Sequence, residues 1–290
     1  MLRVPKINCE RGYPLKIYTG VSGWSYDGWK GVFYPPNLKS KDQLLWASRK
    51  LSTIEINGTF YRLQNPDSFL SWYEDTPDGF IMSVKAPKYI THVRKLKECE
   101  IPLANFLANG MLHLKEKLGP ILWQLPPQLK YSPYILDFMK KLPQTGAKAL
   151  SQAKKHDSKV ADKHYLKLDK NTPMRHCFEV RHQSFDNEEF LQLAQDLNIA
   201  VAITDSADKW PRITLSTAKH LYLRLHGPSN LYPEGYSSAD LKYWQDEIVR
   251  LSQSRKIEEV FVYFDNEAKK SAPLNAIEFS ERIRLTKKVG

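Results

Sequence analysis

The chain has 290 residues, enough for two ordinary domains or for one large barrel. Its 42% hydrophobic and 26% charged residues are typical of a globular protein, and no run of about 18 apolar residues predicts a membrane span. Three widely separated cysteines (Cys9, Cys99 and Cys177) argue against a disulfide framework and against a thiolate zinc site, so we expect a cytoplasmic protein without membrane association.

The net charge of +11 raises the possibility of an acidic partner such as nucleic acid. Much of this charge is local, because residues 140–175 contain ten Lys or Arg against three Asp, a net charge of +7. Few aromatic residues accompany them, whereas single-strand binding usually relies on stacking. The segment is therefore interpreted as a solvated basic insertion, with a polyanion-binding surface as the alternative.

Eight short stretches rich in β-branched and aromatic residues predict buried strands. In chain order they are 16–24, 51–60, 80–87, 119–127, 176–182, 200–205, 220–227 and 259–266. Helical patterns lie between them, for example Lys41 to Lys50, Pro133 to Lys141, Asn187 to Leu197 and Ser238 to Ser252. The last of these helices has Ser237 or Ser238 available as its N-cap.

Alternation of strands with helices predicts parallel pairing, and eight strands favour a closed (β/α)₈ TIM-type barrel over a doubly wound sheet. No linker divides the chain, so we expect one domain over residues 1–290, with its core at about 16–276. The longest connection, between the fourth and fifth predicted strands, has about 48 residues and contains the basic insertion at about 145–174.

Polar side chains alternate with apolar ones on several strands. In IEINGTFYR (54–62), Ile54 and Ile56 share one face, and Glu55 and Asn57 share the other. Because the outer face of a barrel strand packs on the helices, the charged sets are expected to point inward, near the C-terminal ends where TIM barrels hold their active sites. These sets contain Glu55, Lys85, Glu179, Arg181, Asp205, Arg224, His226 and Asp265, beside Asn57 and Gln124.

Such a charged interior has two interpretations. A buried ion network could be purely structural, but desolvation often cancels the Coulomb gain of buried pairs, so a functional pocket is favoured. The aromatic residues of the first loop, GVSGWSYDGWKGVFYPP (20–36), could stack on a sugar or base, or could simply cap the barrel. Neither GxGxxG nor a P-loop is present, so these nucleotide-binding devices are not indicated.

Several long motifs together resemble the YecE-like family, catalogued as domain of unknown function 72, from about Lys16 to Ala276. The matching stretches are GVSGWSYDGWKGVFYP, IEINGTFYR with WYEDTP, FIMSVKAPKYITH, LWQLPP, RHCFEVRH, YLRLHG and VYFDN. The resemblance implies a TIM-type barrel and no established activity. The final strand ends in FDN where the family more often has FNN. The motif positions that the resemblance carries over are Ser22, Trp24, Glu55, Asn57, Tyr61, Lys85, Gln124, Glu179, Arg181, Arg224, His226, Gly227, Tyr263 and Asn266.

The favoured hypothesis is an enzyme acting on a small polar or anionic compound. Its predicted catalytic residues are Glu55, Glu179, Asp205 and His226, with Glu179 or Glu55 as general acid or base. Predicted substrate-binding residues are Ser22, Trp24, Asn57, Tyr61, Lys85, Gln124, Arg181, Arg224, Tyr263, Asp265 and Asn266. Among these, Arg181, Arg224 and Lys85 are expected to hold phosphate or carboxylate oxygens.

Hydrolase, lyase and isomerase chemistry all remain open at this point. A glycosidase needs two carboxylates flanking the scissile bond, but Gln124 and His226 stand where common barrel glycosidases have glutamates. A metal-dependent phosphoesterase or isomerase could use Glu179, Asp205, His226 and Asp265 as ligands. Two other classes are a nucleic-acid-binding or processing protein and a ligand-binding barrel without turnover. The sequence identifies neither a cofactor nor an oligomeric state.

Overall fold

The computed structural model describes residues 4, 6–8, 14–227, 235–254, 256–265 and 270–286. Strands and helices alternate along most of this chain. The strands are β1 (Lys6–Asn8), β2 (Pro14–Ser22), β3 (Thr53–Ile56), β4 (Ile81–Lys85), β5 (Leu118–Gln124), β6 (His176–Glu179), β7 (Ala200–Val201), β8 (Ile203–Asp205), β9 (His220–Leu225) and β10 (Glu259–Phe264). Each of the eight predicted strands is present, and the sixth is divided into β7 and β8.

The parallel strands form a nearly closed barrel. Hydrogen-bonded neighbours follow the order β7-β6-β5-β4-β3-β2-β10-β9-β8, and every pair in this order is parallel. Its two ends, β7 and β8, are separated only by Ala202, whose N–H donates to the carbonyl of Phe178 at 2.8 Å. They are therefore two pieces of one strand that pairs with β6 and β9, and the predicted (β/α)₈ barrel is confirmed. Strand β1, which was not predicted, is antiparallel to β2.

Helices occupy the connections between strands. They are α1 (Gln43–Ser48), α2 (Gly58–Tyr61), α3 (Pro66–Asp75), α4 (Glu100–Ala108), α5 (Tyr134–Lys141), α6 (Gly146–Ala153), α7 (Glu188–Asp196), α8 (Ser238–Ser254) and α9 (Ala272–Thr286). The four predicted helices correspond to α1, α5, α7 and α8. Of the helices that the structure describes, none is long and apolar enough to cross a lipid bilayer.

The N-terminus of α8 is capped as its sequence predicts. The hydroxyl of Ser237 accepts a hydrogen bond from the Asp240 N–H at 3.2 Å, and Asp240 Oδ2 accepts one from the Ser237 N–H at 2.8 Å. This reciprocal arrangement satisfies two N–H groups at the start of the helix, where intrahelical acceptors are missing. Ser237, rather than Ser238, is the capping residue.

Strand β3 is shorter than predicted. It ends at Ile56, and Gly58–Tyr61 turn away as α2 instead of extending the strand to Phe60. The hydroxyl of Thr59 fixes this turn by donating to the carbonyl of Ile56 at 2.9 Å and to that of Lys85 at 2.6 Å. The hydroxyl of Thr59 thus links the C-terminal ends of β3 and β4 by hydrogen bonds.

The strand register divides the side chains between two cores, because residues in register on adjacent strands share a face. On the outer face, residues such as Ile54, Leu223 and Leu225 pack against the helix layer. On the inner face, the lower layers are filled mainly by Tyr18, Ile81, Leu122, Cys177, Tyr222, Phe261 and Tyr263. Above these layers, toward the C-terminal ends of the strands, the interior becomes charged.

The long basic connection between β5 and β6 contains α5 and α6. Nine of its ten basic side chains over 140–175 are exposed, and the tenth, Arg175, is partly buried in an ion pair with Glu259. Reciprocal hydrogen bonds of 3.0 Å between Asn105 and Asp157 fix the connection to α4. The exposed cations are therefore presented by a segment that packs on the barrel.

Candidate functional site at the C-terminal end of the barrel

Arg224 is the centre of the charged layer. Strand β9 directs it into the barrel, where it is 1% exposed. Its Nη2 lies 2.8 Å from Glu55 Oε1 and 2.6 Å from Asp265 Oδ2, while Nη1 contacts Glu179 Oε2. Its Nε donates to Glu55 Oε2 at 3.1 Å. The prediction that Arg224 binds the substrate is at odds with this geometry, because all three nitrogens are engaged by buried carboxylates.

Glu55 is fully buried beneath the mouth of the barrel. Besides Arg224, its Oε1 accepts from the Ser22 hydroxyl at 3.0 Å and its Oε2 from the Tyr222 hydroxyl at 2.6 Å. The backbone is fixed as well, because Gly23, at φ +74, donates its N–H to the Glu55 carbonyl at 2.8 Å. The contacts made by Glu55 and Ser22 therefore orient Arg224 and leave no exposed oxygen for a substrate.

Glu179 lies on the opposite side of Arg224 and is also fully buried. Its Oε1 accepts from Arg181 Nε at 2.6 Å, and Gln124, also buried, is its register partner on β5. Burial by itself would raise the pKa of Glu179, but the guanidinium groups of Arg224 and Arg181 outweigh it and lower the pKa to about 2. Glu179 therefore remains ionised near neutral pH, which disfavours the predicted role as a general acid.

His226 and Asp265 form a hydrogen-bonded pair directly after β9 and β10. His226 Nδ1 lies 3.0 Å from Asp265 Oδ2, which also accepts from Arg224. Burial would raise the pKa of Asp265, but Arg224 and His226 hold it well below its usual range. His226 Nε2 is buried and has no hydrogen-bond partner within the described residues. In the neutral ring, Nδ1 is therefore the donor and Nε2 the open acceptor.

Lys85, the last residue of β4, lies at the edge of the same layer and is partly exposed. Its Nζ is 4.6 Å from the centroid of the Phe60 ring. The nearby carboxylates are paired with arginines and His226, and Lys85 forms no ion pair with any described residue. Burial, followed by the positive charge of Arg224, lowers the pKa of Lys85.

Two further side chains at the mouth were not predicted from the sequence. His92 follows β4 in the π-helical turn Tyr89–Val93, and its ring meets Phe60 edge-to-face at 5.2 Å. Burial, together with the charges of Arg181 and Lys85, lowers the pKa of His92 to about 4. Trp210, which follows β8, lies under the guanidinium of Arg181 at 4.7 Å. Both residues belong to loops after barrel strands, which was the signal available in the sequence.

Tyr263 lies one layer below the charged group, in a position that does not suit substrate binding. It is fully buried, and its hydroxyl is 2.8 Å from Thr53 Oγ1 and 2.6 Å from Ser83 Oγ. Burial raises the pKa of this phenol, so it stays protonated. These contacts connect β10 with β3 and β4 across the interior.

The expectation that Asp205 points inward is wrong. Asp205 pairs in register with Leu225, whereas Thr204 pairs with Arg224, so Asp205 is on the outer face. Its Oδ2 accepts from the Tyr236 hydroxyl at 3.0 Å and from Trp244 Nε1 at 3.2 Å. Its Oδ1 accepts from Arg212 at 2.8 Å. Asp205 therefore fixes α8 and the loop after β8 to the outside of the barrel, and it does not belong to the charged layer.

The remaining predicted residues are Tyr61, Asn57, Trp24 and Asn266. Tyr61 is 78% exposed at the end of α2, and Asn57 is partly buried where α2 begins. Trp24 packs edge-on against Trp72 at 5.4 Å. Asn266 lies outside the described residues. In the first loop, Trp29, Phe33 and Tyr34 are all buried, as expected if these aromatics cap the barrel.

The predicted metal-ligand set is not assembled. Asp205 is on the outer face, and Arg224 occupies oxygens of Glu179 and Asp265. Over the part of the chain that the structure describes, no group of three His, Cys, Asp or Glu side chains is placed to hold a metal ion. Among the described residues, the mouth therefore combines the imidazole of His226, the amine of Lys85, which makes no ion pair with them, and the guanidinium of Arg181, which Glu179 and Trp210 hold in place.

Fold and site together define the chain as a TIM-barrel protein with a mixed-charge mouth at the C-terminal ends of its strands. A family model described as "Protein of unknown function DUF72" matches residues 18–289. The chain belongs to this family, as its motifs predicted.

Curated relatives and solved structures agree with this family. The UPF0759 protein YecE of Escherichia coli K12 is 30% identical over 44% of this chain and 44% of its own length, and YunF of Bacillus subtilis is 31% identical over 38% and 40%. These matches span less than half of each relative. A DUF72 family structure (TM1631) from Thermotoga maritima has 26% identity and a TM-score of 0.70, covering 92% of this chain and 98% of its own.

Proposed function

We propose that this protein is an enzyme that binds a small anionic compound above Arg224 and transfers a proton through His226. The observation that carries the proposal is the buried Nε2 of His226, which has no hydrogen-bond partner among the described residues and belongs to a ring that Asp265 holds at 3.0 Å through the other nitrogen. An imidazole oriented by a carboxylate is a common general acid or base, because the carboxylate fixes the tautomer and stabilises the protonated ring. Asp265 is a positioning residue in this proposal.

The substrate is proposed to be anionic because the side chains that remain available are mostly donors. Arg181 uses Nε for Glu179 and stacks on Trp210, which leaves its two terminal nitrogens without a hydrogen bond among the described residues. A guanidinium braced in this way suits bidentate binding of a carboxylate or phosphate. Lys85 adds a second positive or neutral donor at the same edge.

The same geometry favours proton transfer over the two-carboxylate mechanism of glycosidases. Both oxygens of Glu55 and of Glu179 accept hydrogen bonds from arginines, so neither carboxylate is placed to attack or to protonate a sugar. The imidazole of His226 is the available acid–base group. Lyase, isomerase and hydrolase reactions that begin with a single proton transfer are all consistent with it.

The test is a binding screen of carboxylates and phosphates by thermal shift, followed by calorimetry of any hit. Arg181→Met should weaken the hit about 10- to 150-fold, because a hydrogen bond to a charged group contributes about 1.5–3 kcal/mol. Arg49→Met, which alters an exposed arginine on α1's C-terminal side, is the matched control. With a substrate identified, His226→Asn should lower kcat about 100- to 10,000-fold. Equal affinity in the wild type and Arg181→Met would refute the proposed anion site.

A second candidate is binding of single-stranded nucleic acid. A groove of about 450 Å³ adjoins the basic connection and is lined by Tyr61, Tyr89, Arg94 and Lys159. Exposed aromatic rings beside cations are typical of stacking platforms for bases. Oligonucleotide affinity, measured by fluorescence anisotropy, should then fall steeply with salt and be lost after Lys-to-Glu changes at 154, 155 and 159. Binding unaffected by these changes would exclude this surface.

A further inference from the structure

Lys85 is placed differently from the exposed lysines that make this chain basic. It ends β4 on the inner face, in the layer that contains Arg224, and its Nζ rests against Phe60 at 4.6 Å. Among the described residues it makes no ion pair, although three carboxylates share the layer. Arg224 binds all three, so the amine has an apolar ring and a neighbouring cation as its main surroundings.

Such surroundings favour the neutral amine. Burial and the charge of Arg224 lower the pKa of Lys85, while Glu55, Asp265 and Glu179 oppose this only in part. Each unit by which an amine pKa falls increases the neutral, nucleophilic fraction near pH 7 about tenfold. Desolvation and an adjacent cation are the two means by which enzymes activate lysine as a nucleophile.

We propose that Lys85 is a catalytic nucleophile that forms an imine with a carbonyl-bearing anion such as a 2-oxo acid. The inference rests on the proposed function, because Arg181 would hold the carboxylate of this substrate. The inference also narrows the class of substrate, because the compound must contain a ketone or aldehyde near its anionic group.

Imine formation would proceed through a carbinolamine. Lys85 Nζ adds to the carbonyl carbon, the carbonyl electron pair moves to oxygen, and one amine proton follows, which gives a carbinolamine. His226, which has taken a proton from solvent at Nε2, gives that proton to the hydroxyl, water leaves, and a protonated imine remains. Neutral His226 can now take a proton from the adjacent carbon, and the electron pair of that C–H bond enters the enamine. The imine thus gives the proton transfer an electron sink, which a lone imidazole lacks.

The test uses the whole protein at pH 7 with pyruvate or glyoxylate and sodium cyanoborohydride, which reduces an imine to a stable secondary amine. Peptide mass spectrometry then measures the rate of modification at each lysine. Lys85 should be modified at least tenfold faster than Lys88, an exposed lysine three residues away. This comparison is made within one wild-type sample, so it does not depend on whether a variant folds. Lys85→Arg should remove the fast site and leave Lys88 unchanged.

The outcomes separate this inference from the proposed function. Modification of Lys85 no faster than of Lys88 by either compound would refute the imine. If 2-oxo acids nevertheless bind in an Arg181-dependent way, the anion site stands and only the nucleophile is wrong. Fast modification of Lys85 that is equal in wild type and Arg181→Met would support the nucleophile and refute the anion site.

Discussion

Glu179→Gln tests whether the charged layer is held together as its contacts indicate. In the native protein the pKa of Glu179 falls from 4.5 to about 2, which corresponds to about 3 kcal/mol of stability at neutral pH. A depressed carboxyl pKa gives stability that is complete above the unfolded value and is lost as pH falls toward the folded value. About 2 kcal/mol should therefore be lost by pH 3.

Glu179→Gln should consequently reduce the free energy of unfolding by about 3–5 kcal/mol at pH 7, because Arg224 and Arg181 lose a buried partner. The deficit relative to wild type should shrink by about 2 kcal/mol at pH 3, because Glu179 is then largely protonated in the unfolded chain but still mostly ionised in the folded protein. Urea unfolding at pH 7, 5, 4 and 3 with linear extrapolation measures both quantities.

Asp246→Asn is the control for this series. Asp246 pairs with Lys242 on the exposed surface of α8, so its loss should cost no more than about 0.5 kcal/mol at neutral pH. A deficit for Glu179→Gln that is the same at every pH would refute the reasoning, since it would mean that the charge of Glu179 is not stabilised in the folded protein.

Three further predictions concern residues around the site. Asp205→Ala should lower the stability by about 3 kcal/mol, because Arg212, Tyr236 and Trp244 lose their acceptor; affinity for a ligand of the mouth should not change, and a large loss of affinity would contradict the outer-face assignment. Tyr263→Phe should cost about 1–3 kcal/mol in thermal or urea unfolding, because Thr53 and Ser83 lose a buried partner, and no measurable loss would contradict those contacts. The ring-proton shifts of His92 should titrate in NMR near pH 4, and His92 should lower the stability of the folded protein as pH falls from 6.5 toward 4, because the unfolded chain binds the proton more readily; a midpoint near 6.5 would show that His92 is not buried beside Arg181 and Lys85.

The barrel could be predicted because its determinants are local and repeated. Short β-branched strands and amphipathic helices such as α8 are visible in a single sequence, and eight of them in alternation leave few alternatives. The inward direction of Glu55, Glu179 and Arg224 followed from simple alternation along their strands. The error for Asp205 was the choice of face, because alternation from Val201 and Ile203, which pack against the helix layer, places Asp205 on the outer face with them.

The composition of the mouth was harder to predict than the direction of its strands. Arg224 was expected to be an open anion binder, but whether an arginine is open depends on which carboxylates reach it from distant strands. His92 and Trp210 reach the mouth through loops, whose paths carry no periodic signal. For the same reason Tyr61, at the end of an unpredicted helix, is exposed on the surface and not directed into the barrel.

The contacts of Arg224 have a mechanical consequence for whatever occupies the mouth. One guanidinium ties together β3, β6 and β9, none of which are neighbours in the sheet, and so acts as a cross-brace over the width of the lumen. The floor of the pocket is therefore fixed in height and cannot deepen to admit a larger molecule. Discrimination between ligands of different size therefore depends on the sides of the pocket, which are formed by His92, Arg181 and Trp210 from the segments after β4, β6 and β8.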